Sequence, residues 1–271
     1  MPAQIKHIAI STDNYAHVGR WYQAILGMSI SSGNQRPEAA VVVTDGYIGM
    51  NVIPRNVGNA ARLDHFGFEV PDPEEVFARL REAYPNIKWQ KRPSTRPFAG
   101  VTMHDPAGNY FDLSHQRLEH RADIYTDASV WGQKHDRRIH HFQLHVVDPE
   151  PVVRFYKDIF DLQEQPREPG DANHYLTDGT VTMVIKPWRI NDFGGANIES
   201  PGMDHLGFVV DSIERFEADL QRVTDRNPLL SGKPLGKGAE GQERLRLLKT
   251  CRYGQYQLAD PDGVLIDLME E

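Results

Sequence analysis

Alternating and helical hydrophobic patterns recur along the chain in a fixed order. In IKHIAIS and IHHFQLHVV, apolar side chains alternate with other residues, which is typical of a β-strand with one buried face. LDHFGFEV and MDHLGFVV show the same alternation. Each of these segments is followed by a stretch with apolar residues at helical spacing, such as WYQAILGM or IERFEADLQRV. The patterns therefore predict a strand followed by a helix, four times over.

The two halves of the chain also repeat each other in detail. Tyr22 follows His7 at the same offset at which Tyr156 follows His141. The halves close with nearly identical nonapeptides, DPAGNYFDL and DPDGVLIDL, in which a glycine allows a tight turn before an acidic strand. A repeated supersecondary unit is the strongest indication of the architecture.

We therefore predict an α+β fold of four βαβββ modules, which form two curved, mixed β-sheets with the helices outside. The modules span about 1–60, 61–120, 138–195 and 200–271, with ends uncertain by a few residues. The corresponding division of the chain is an N-terminal domain (1–120), a polar linker (121–137) and a C-terminal domain (138–271).

The alternation also predicts which side chains share a face. The bulky apolar residues of each strand are expected to pack on the helices, so each half sends two histidines and one aspartate to the opposite side. Two imidazoles and one carboxylate suit Fe(II) or Mn(II), and zinc also uses such ligands. The candidate metal ligands are His7, His65 and Asp112 in one half, and His141, His205 and Asp267 in the other.

Composition limits the classes of partner. The 271 residues carry a net charge of −8, which argues against nucleic acid, and no apolar run approaches the roughly 20 residues that cross a membrane. The N-terminus lacks the pattern of a signal peptide, and the single cysteine, Cys251, excludes an intrachain disulfide. We expect a cytoplasmic protein with a small-molecule substrate. A homo-oligomer is one open alternative.

A basic, glycine-rich stretch, SGKPLGKGAEGQERLRLLKTCR, stands out from the acidic background. It has two interpretations. One is a solvated loop, and the other is a flexible lid whose cations meet an anionic group of the substrate.

With these motifs in place, the chain resembles the vicinal-oxygen-chelate superfamily, which includes glyoxalases, bleomycin-resistance proteins and type I extradiol dioxygenases. The resemblance rests on the repeated βαβββ pattern, on the KHIAIS, HHFQLHV, DHFGF and DHLGF strands and on the DPxG turns. Four modules in one chain look most like the extradiol ring-cleaving enzymes. That resemblance implies a divalent metal, most often Fe(II), held in the C-terminal half by His141, His205 and Asp267.

The chain departs from the ring-cleaving pattern in two respects. The family carboxylate is usually glutamate, whereas both halves have aspartate. The positions that best match an active-site histidine and tyrosine of the ring cleavers hold Thr182 and Gln257, with Tyr256 one residue away. Modules of this superfamily pair within or across halves, so mixed clusters are also open: His7 with His205 and Asp267, and His141 with His65 and Asp112.

The candidate catalytic groups are His145, Glu69 and Tyr256. His145 shares a face with His141 and is a candidate acid or base. Three functions stay open: an extradiol-type oxygenase, a metal-dependent lyase, isomerase or epimerase of the glyoxalase kind, and a protein that binds a small ligand without turnover.

Overall fold

A computed structural model describes residues 3–30, 40–92, 98–115, 132 and 135–271. Most of the linker predicted at 121–137 therefore lies outside the described residues. The domain boundaries given above stay a prediction.

The elements of the N-terminal half follow the predicted order of a strand, a helix and further strands, twice. They are β1 (Gln4–Thr12), α1 (Tyr15–Leu26), β2 (Ser29–Ile30), β3 (Val41–Thr44), β4 (Gly49–Pro54), β5 (Arg62–Glu69), α2 (Pro73–Ala83), β6 (Trp89–Lys91), β7 (Val101–His104) and β8 (Tyr110–Ser114).

The C-terminal half repeats this order with an additional helix before its last module, and the last module differs. Its elements are β9 (Arg138–Val146), α3 (Pro149–Phe160), β10 (Gln163–Glu164), β11 (His174–Thr177), β12 (Thr182–Pro187), α4 (Ile190–Ala196), β13 (Gly202–Val210), α5 (Ile213–Arg226), a 3-10 turn (Pro228–Leu230), α6 (Gly238–Leu248), β14 (Tyr256–Ala259) and β15 (Leu265–Glu270). Where the other three modules have a short strand after their first helix, this module has the turn and α6.

Two of the helices begin at residues that cap a helix N-terminus. Asp72 precedes α2, accepts a hydrogen bond from the backbone of Glu74 and is followed by proline. Ser212 caps α5 in the same way through Arg215. Local sequence thus sets the first residues of both helices.

The described strands form two mixed sheets, one in each half. The eight-stranded sheet has the order β2-β3-β4-β1-β5-β8-β7-β6, and the seven-stranded sheet has the order β10-β11-β12-β9-β13-β15-β14. These sheets confirm the predicted α+β class. The opening strands of the two modules within a half pair antiparallel, β1 with β5 and β9 with β13. The alternative in which modules exchange partners between halves is therefore wrong.

The apolar sheet faces of the two halves contribute to one continuous hydrophobic core. Phe66 of β5 lies 5.0 Å from Phe142 of β9 between ring centroids, and Phe68 stacks on Phe160 at 4.3 Å. Because the apolar faces are covered in this way, the histidines and aspartates that alternate with these residues lie on the opposite sides of the sheets.

The repeated tyrosines and DPxG turns connect the halves. Tyr22 of α1 donates a hydrogen bond to Asp260, and Tyr156 of α3 donates one to Asp105, at 3.4 and 3.1 Å. Asp105 and Asp260 are buried and also accept backbone N–H groups of their own turns. Each turn is thus fixed at the head of the strand that carries Asp112 or Asp267.

Candidate metal centres

The C-terminal cluster is formed by side chains of three adjacent strands. His141 on β9 and Asp267 on β15 are both paired in register with Gly207 of β13. His141 Nε2 lies 2.9 Å from Asp267 Oδ1, and His205 Nε2 lies 3.3 Å from Asp267 Oδ2. All three side chains are fully buried. The structure therefore brings the three predicted ligands of this half together.

Gly207 provides the space in which the His141 ring lies. A Cβ atom at this position would stand 1.8 Å from Cε1 of His141, which is far inside any allowed contact. The glycine in the MDHLGF strand is therefore needed for close approach of a ring. Gly254 is similar, since a Cβ there would lie 2.7 Å from Oδ2 of Asp267.

The polar atoms at the centre of this cluster lack ordinary partners. Both carboxylate oxygens of Asp267 and Nε2 of His205 are buried, and none has a hydrogen-bond partner among the described residues. Their short separations are thus close approaches without hydrogen-bond geometry. A buried carboxylate without hydrogen bonds is costly, and a dication among these atoms removes that cost. The donor set fits a metal ion.

Cys251 belongs to the same cluster and was missed by the sequence reasoning. Its Sγ lies 3.5 Å from His141 Nε2, and the cysteine is buried. Together with the two histidines and Asp267 it forms a group whose ligand atoms all lie within 4.8 Å of one another. Cys251 follows the glycine-rich stretch of the last module, where no repeat predicts its position.

The N-terminal cluster reproduces the arrangement with three residues. His7 on β1 and Asp112 on β8 are both paired with Gly67 of β5. His7 Nε2 lies 3.2 Å from His65 Nε2, which lies 3.3 Å from Asp112 Oδ2. The ligand atoms again lie within 4.8 Å of one another. The structure thus brings the second predicted set together, and its role as a ligand set stays a prediction.

The N-terminal cluster is less enclosed than the C-terminal one. The side chain of His65 is 19% exposed and that of Asp112 is 9% exposed, compared with zero for His205 and Asp267. The ring of Phe98 stacks on His7 with 5.0 Å between centroids.

An aspartate precedes one histidine in each half and orients it. Asp64 Oδ2 accepts a hydrogen bond from His65 Nδ1, and Asp204 Oδ2 accepts one from His205 Nδ1, both at 2.8 Å. Because Nδ1 carries the proton, Nε2 is left to face the cluster. Both Asp-His pairs lie at register shifts in their strands, where a bulge turns side chains from their regular directions. The DH dipeptide in LDHFGF and MDHLGF is the sequence pattern that marks these two aspartates.

The ligand atoms of each cluster are strongly coupled. Burial lowers the pKa of His141, but the charge of Asp267 opposes it and raises that pKa to about 9. The pKa of His65 also reaches about 9, because Asp112 and Asp64 outweigh its burial. Burial raises the pKa of Asp267, yet the two histidines hold it well below its usual range. A cation that replaces these protons meets a preformed negative site.

The three predicted catalytic residues lie outside the ligand sets. His145 is buried, accepts a hydrogen bond from Gln143 Nε2 at 2.8 Å and has its pKa lowered by burial. Its Nε2 lies 3.8 Å from Oδ2 of Asp204, the residue that orients His205. Glu69 is buried on β5, four residues or about 13 Å along the strand from His65.

Tyr256 lies away from the C-terminal cluster, and its catalytic role stays a prediction. Tyr256 pairs with Leu268 in a regular section of β14, packs against the hydrophobic core and lies 6.1 Å from the ring of Phe216 on α5. Strand alternation thus places it on the helix side of the sheet, and no bulge turns it back.

The positions matched to the ring cleavers' histidine and tyrosine do flank the C-terminal cluster. Thr182 is paired with His141, and Gln257 is paired with Asp267. Neither side chain ionises near neutral pH, and Gln257 donates its amide hydrogen bond to the backbone of Gly254. This departure from the ring-cleaving pattern is therefore real at the site itself.

The chain belongs to the vicinal-oxygen-chelate superfamily. Residues 138–268 match the family model of the Glyoxalase/Bleomycin resistance protein/Dioxygenase superfamily, and residues 7–114 match that of the glyoxalase-like domain. The recognition made from the repeats is confirmed.

Similar proteins of known sequence or structure agree with this membership. The cadmium-induced protein CadI of Mycobacterium tuberculosis is 29% identical over 97 residues, which are 34% of this chain and 55% of that protein's length. The Mn(II)-bound glyoxalase from Novosphingobium aromaticivorans has a TM-score of 0.65 at 14% identity, covering 99% of this chain and 82% of that one. The 2,3-dioxygenase LapB from Pseudomonas sp. KL28 has a TM-score of 0.64 at 14% identity, covering 99% and 92%. At these identities the two structures show the fold. Within the described part of the chain, no helix is long and apolar enough to cross a membrane.

Proposed function

We propose that this chain is a divalent-metal-dependent enzyme whose substrate is a small molecule that chelates the ion through neighbouring oxygens. The observation that carries the proposal is the N-terminal cluster, in which two imidazoles and one carboxylate converge from three strands. Three protein ligands leave coordination positions open, as in catalytic sites, whereas structural sites are usually closed by four.

We assign the substrate-binding ion to His7, His65 and Asp112 rather than to the C-terminal set. The sequence resemblance favoured the C-terminal half, but the ligands there are fully buried. Partial exposure of His65 supports access to the N-terminal set from solvent. The substrate-binding ion is thus assigned to the N-terminal half, whereas the family resemblance implies the C-terminal half.

Other residues of the chain would orient the ligands of this ion and cover part of the site. Asp64 holds His65 by its Nδ1 proton, and the backbone carbonyl of Gly49 accepts the Nδ1 proton of His7 at 3.0 Å. Thr102 donates a hydrogen bond to one oxygen of Asp112 and leaves the other for the ion. The ring of Phe98 covers one side of His7. When bound, the ion supplies Lewis acidity and, if it is Fe(II), electrons for reaction with dioxygen.

Extradiol-type oxygenation is the first reaction proposed, because a two-histidine, one-carboxylate set with open positions suits Fe(II) oxygenases. A glyoxalase-like lyase, isomerase or epimerase is the second. Such a reaction would need only Lewis acidity from an ion held by His7, His65 and Asp112.

Anaerobic reconstitution tests the proposal. Protein loaded separately with Fe(II), Mn(II) and Zn(II) would be given a panel of catechols and of α-hydroxycarbonyl compounds, with oxygen uptake and product formation followed together. Oxygen uptake with a catechol supports the oxygenase. Oxygen-independent conversion of a carbonyl compound supports the lyase or isomerase. Stoichiometric ligand binding without any turnover would instead favour a binding protein and contradict the enzyme.

Matched variants test which cluster does the chemistry. His65→Ala should abolish turnover, whereas Cys251→Ser should retain it, because His65 belongs to the N-terminal cluster and Cys251 does not. Turnover that survives in His65→Ala would overturn the assignment to the N-terminal half.

A further inference from the structure

We propose that the C-terminal cluster is a closed, four-ligand metal site completed by the Cys251 thiolate, and that it holds a thiophilic dication such as Zn(II) with a structural role. This inference concerns a second site and does not depend on the reaction proposed at the N-terminal cluster. It rests on the geometry, burial and surroundings of His141, His205, Cys251 and Asp267.

Two separations within the cluster match those around a tetrahedral ion. Bonds of about 2.3 Å to sulfur and about 2.0–2.1 Å to nitrogen place the two donors about 3.5 Å apart at a tetrahedral angle. Cys251 Sγ and His141 Nε2 lie 3.5 Å apart. Nitrogen and oxygen donors at such an ion are separated by about 3.4 Å, and His205 Nε2 lies 3.3 Å from Asp267 Oδ2. His141 Nε2 and Asp267 Oδ1 are closer, at 2.9 Å, so these two donors would move apart to share one ion.

The chemistry of the donors also favours a metal cation. Both oxygens of Asp267 and Nε2 of His205 are buried without a hydrogen-bond partner among the described residues. A thiolate, a carboxylate and two imidazoles form a mixed set that contains a soft ligand, and soft ligands select zinc-like ions over magnesium or calcium.

The segment that carries Cys251 is fastened to the sheet on both sides. Arg244 of α6 forms an ion pair with Asp204, the residue that orients His205. Lys186 Nζ of β12 donates a hydrogen bond to Thr250 Oγ1 at 2.7 Å, directly beside Cys251. After the cysteine, Arg252 donates to the backbone of Pro166 and lies 3.5 Å from the centre of a tyrosine ring.

These contacts explain the basic stretch differently from either sequence interpretation. Residues of the stretch form α6 rather than a loop, and Arg244 and Arg252 bind groups of the protein itself rather than an incoming anion. The Tyr253 ring then lies 4.9 Å from that of His141. Arg244 and Arg252 therefore hold the segment around Cys251 in place, and this segment of the last module closes the site.

Because Cys251 is the only cysteine in the chain, sulfur ligation has an unambiguous signature. Metal-free protein would be titrated with Cd(II) and with Co(II), while the ultraviolet thiolate-to-metal charge-transfer band and the bound stoichiometry are measured. We expect the band to account for one of the two equivalents of metal that the protein binds. Binding of metal without that band in the wild-type protein would overturn the proposal, whether or not any variant folds.

Variants locate the ligand. Cys251→Ser should abolish the band and weaken binding at this cluster by at least about 100-fold, since loss of an outer-shell partner alone costs about 10–100-fold. Lys249→Ala is the matched control, because this exposed side chain lies two residues from Cys251 and the change keeps both the sulfur and the Lys186–Thr250 hydrogen bond, so the band should remain. His65→Ala should keep the band and lose one other equivalent of metal. A band that disappeared in His65→Ala and persisted in Cys251→Ser would contradict the assignment.

Discussion

The two halves of this protein place the same candidate ligands in the same register and then surround them differently. In both, a glycine of the middle strand is paired with a histidine on one side and an aspartate on the other. The C-terminal half adds α6 and Cys251, and its ligands are fully buried. The N-terminal half keeps three ligands and a partly exposed histidine. The greater enclosure of the C-terminal cluster thus coincides with the segment of the last module that contains α6 and Cys251.

Removal of metal should give the largest difference between the halves. If free metal stands at about 1,000 times the dissociation constant, binding stabilises the fold by about 4 kcal/mol, or about 10 °C in Tm for a chain of this size. Thermal unfolding with and without a chelator measures this shift. Cys251→Ser should lose most of the chelator-dependent shift, whereas His65→Ala should keep most of it. The opposite pattern would contradict a structural ion in the C-terminal half.

Glycine-to-alanine variants at equivalent positions should separate the clusters next. Gly207→Ala must displace the His141 ring, because the added Cβ would lie 1.8 Å from it, and we expect loss of the C-terminal ion and about 1–3 kcal/mol of stability. Gly67→Ala meets a backbone oxygen of Asp112 at 3.0 Å and the Cβ of His7 at 3.2 Å, so a small strand shift should relieve it. Metal content by elemental analysis tests this. Equal metal loss in both variants would show that the glycines act alike.

Metal affinity should rise with pH at both clusters. In the metal-free protein, the carboxylates raise the pKa of His141 and of His65 to about 9, so protons compete with the ion. These raised values stabilise the metal-free fold fully below about pH 6.5, and that contribution is lost as the pH rises through about 9. Affinity should increase by up to about tenfold per pH unit for each proton displaced, and the Tm difference between loaded and metal-free protein should widen between these limits. Isothermal titration in buffers of different ionisation enthalpy counts the protons. Binding that is independent of pH would contradict the coupling.

The aspartates that orient the histidines should give the smallest effects. Asp64→Asn and Asp204→Asn remove the charge beside His65 and His205 but keep a hydrogen-bond acceptor, so metal affinity should fall by about 10–100-fold or less. The fall should be larger for Asp204→Asn, because Asp204 also pairs with Arg244 on the segment that closes its site. Competition with a coloured chelator measures both. A larger fall for Asp64→Asn would weaken the link between α6 and the closed site.

The repeats made the ligand geometry predictable. Strand alternation and identical offsets placed six residues in equivalent positions, and the structure brings them together as two sets of three. They could not decide how modules pair, because pairing within or across halves satisfies the same alternation. The strand contacts of β1 with β5 and of β9 with β13 decide it.

The basic, glycine-rich stretch shows the limit of prediction from sequence periodicity. The glycines around α6 suggested a loop, yet the segment forms a helix that ends in a buried leucine, Leu248, and is held by contacts with distant residues. Cys251 acquires its neighbours through those long-range contacts, so no local pattern could place it beside His141. Tyr256 is a different case, because the simple alternation along β14 already assigns its side chain to the helix side of the sheet.

Anomalous scattering from crystals of the metal-loaded protein tests the central claim most directly. Data collected on both sides of the zinc and iron absorption edges would identify the ion at each cluster and the atoms bound to it. We expect zinc with four protein ligands, including the sulfur of Cys251, in the C-terminal half, and an ion with three protein ligands and open or water-filled positions at His7, His65 and Asp112. An ion at the C-terminal cluster with Cys251 turned away, or no ion at the N-terminal cluster under saturating metal, would contradict the account.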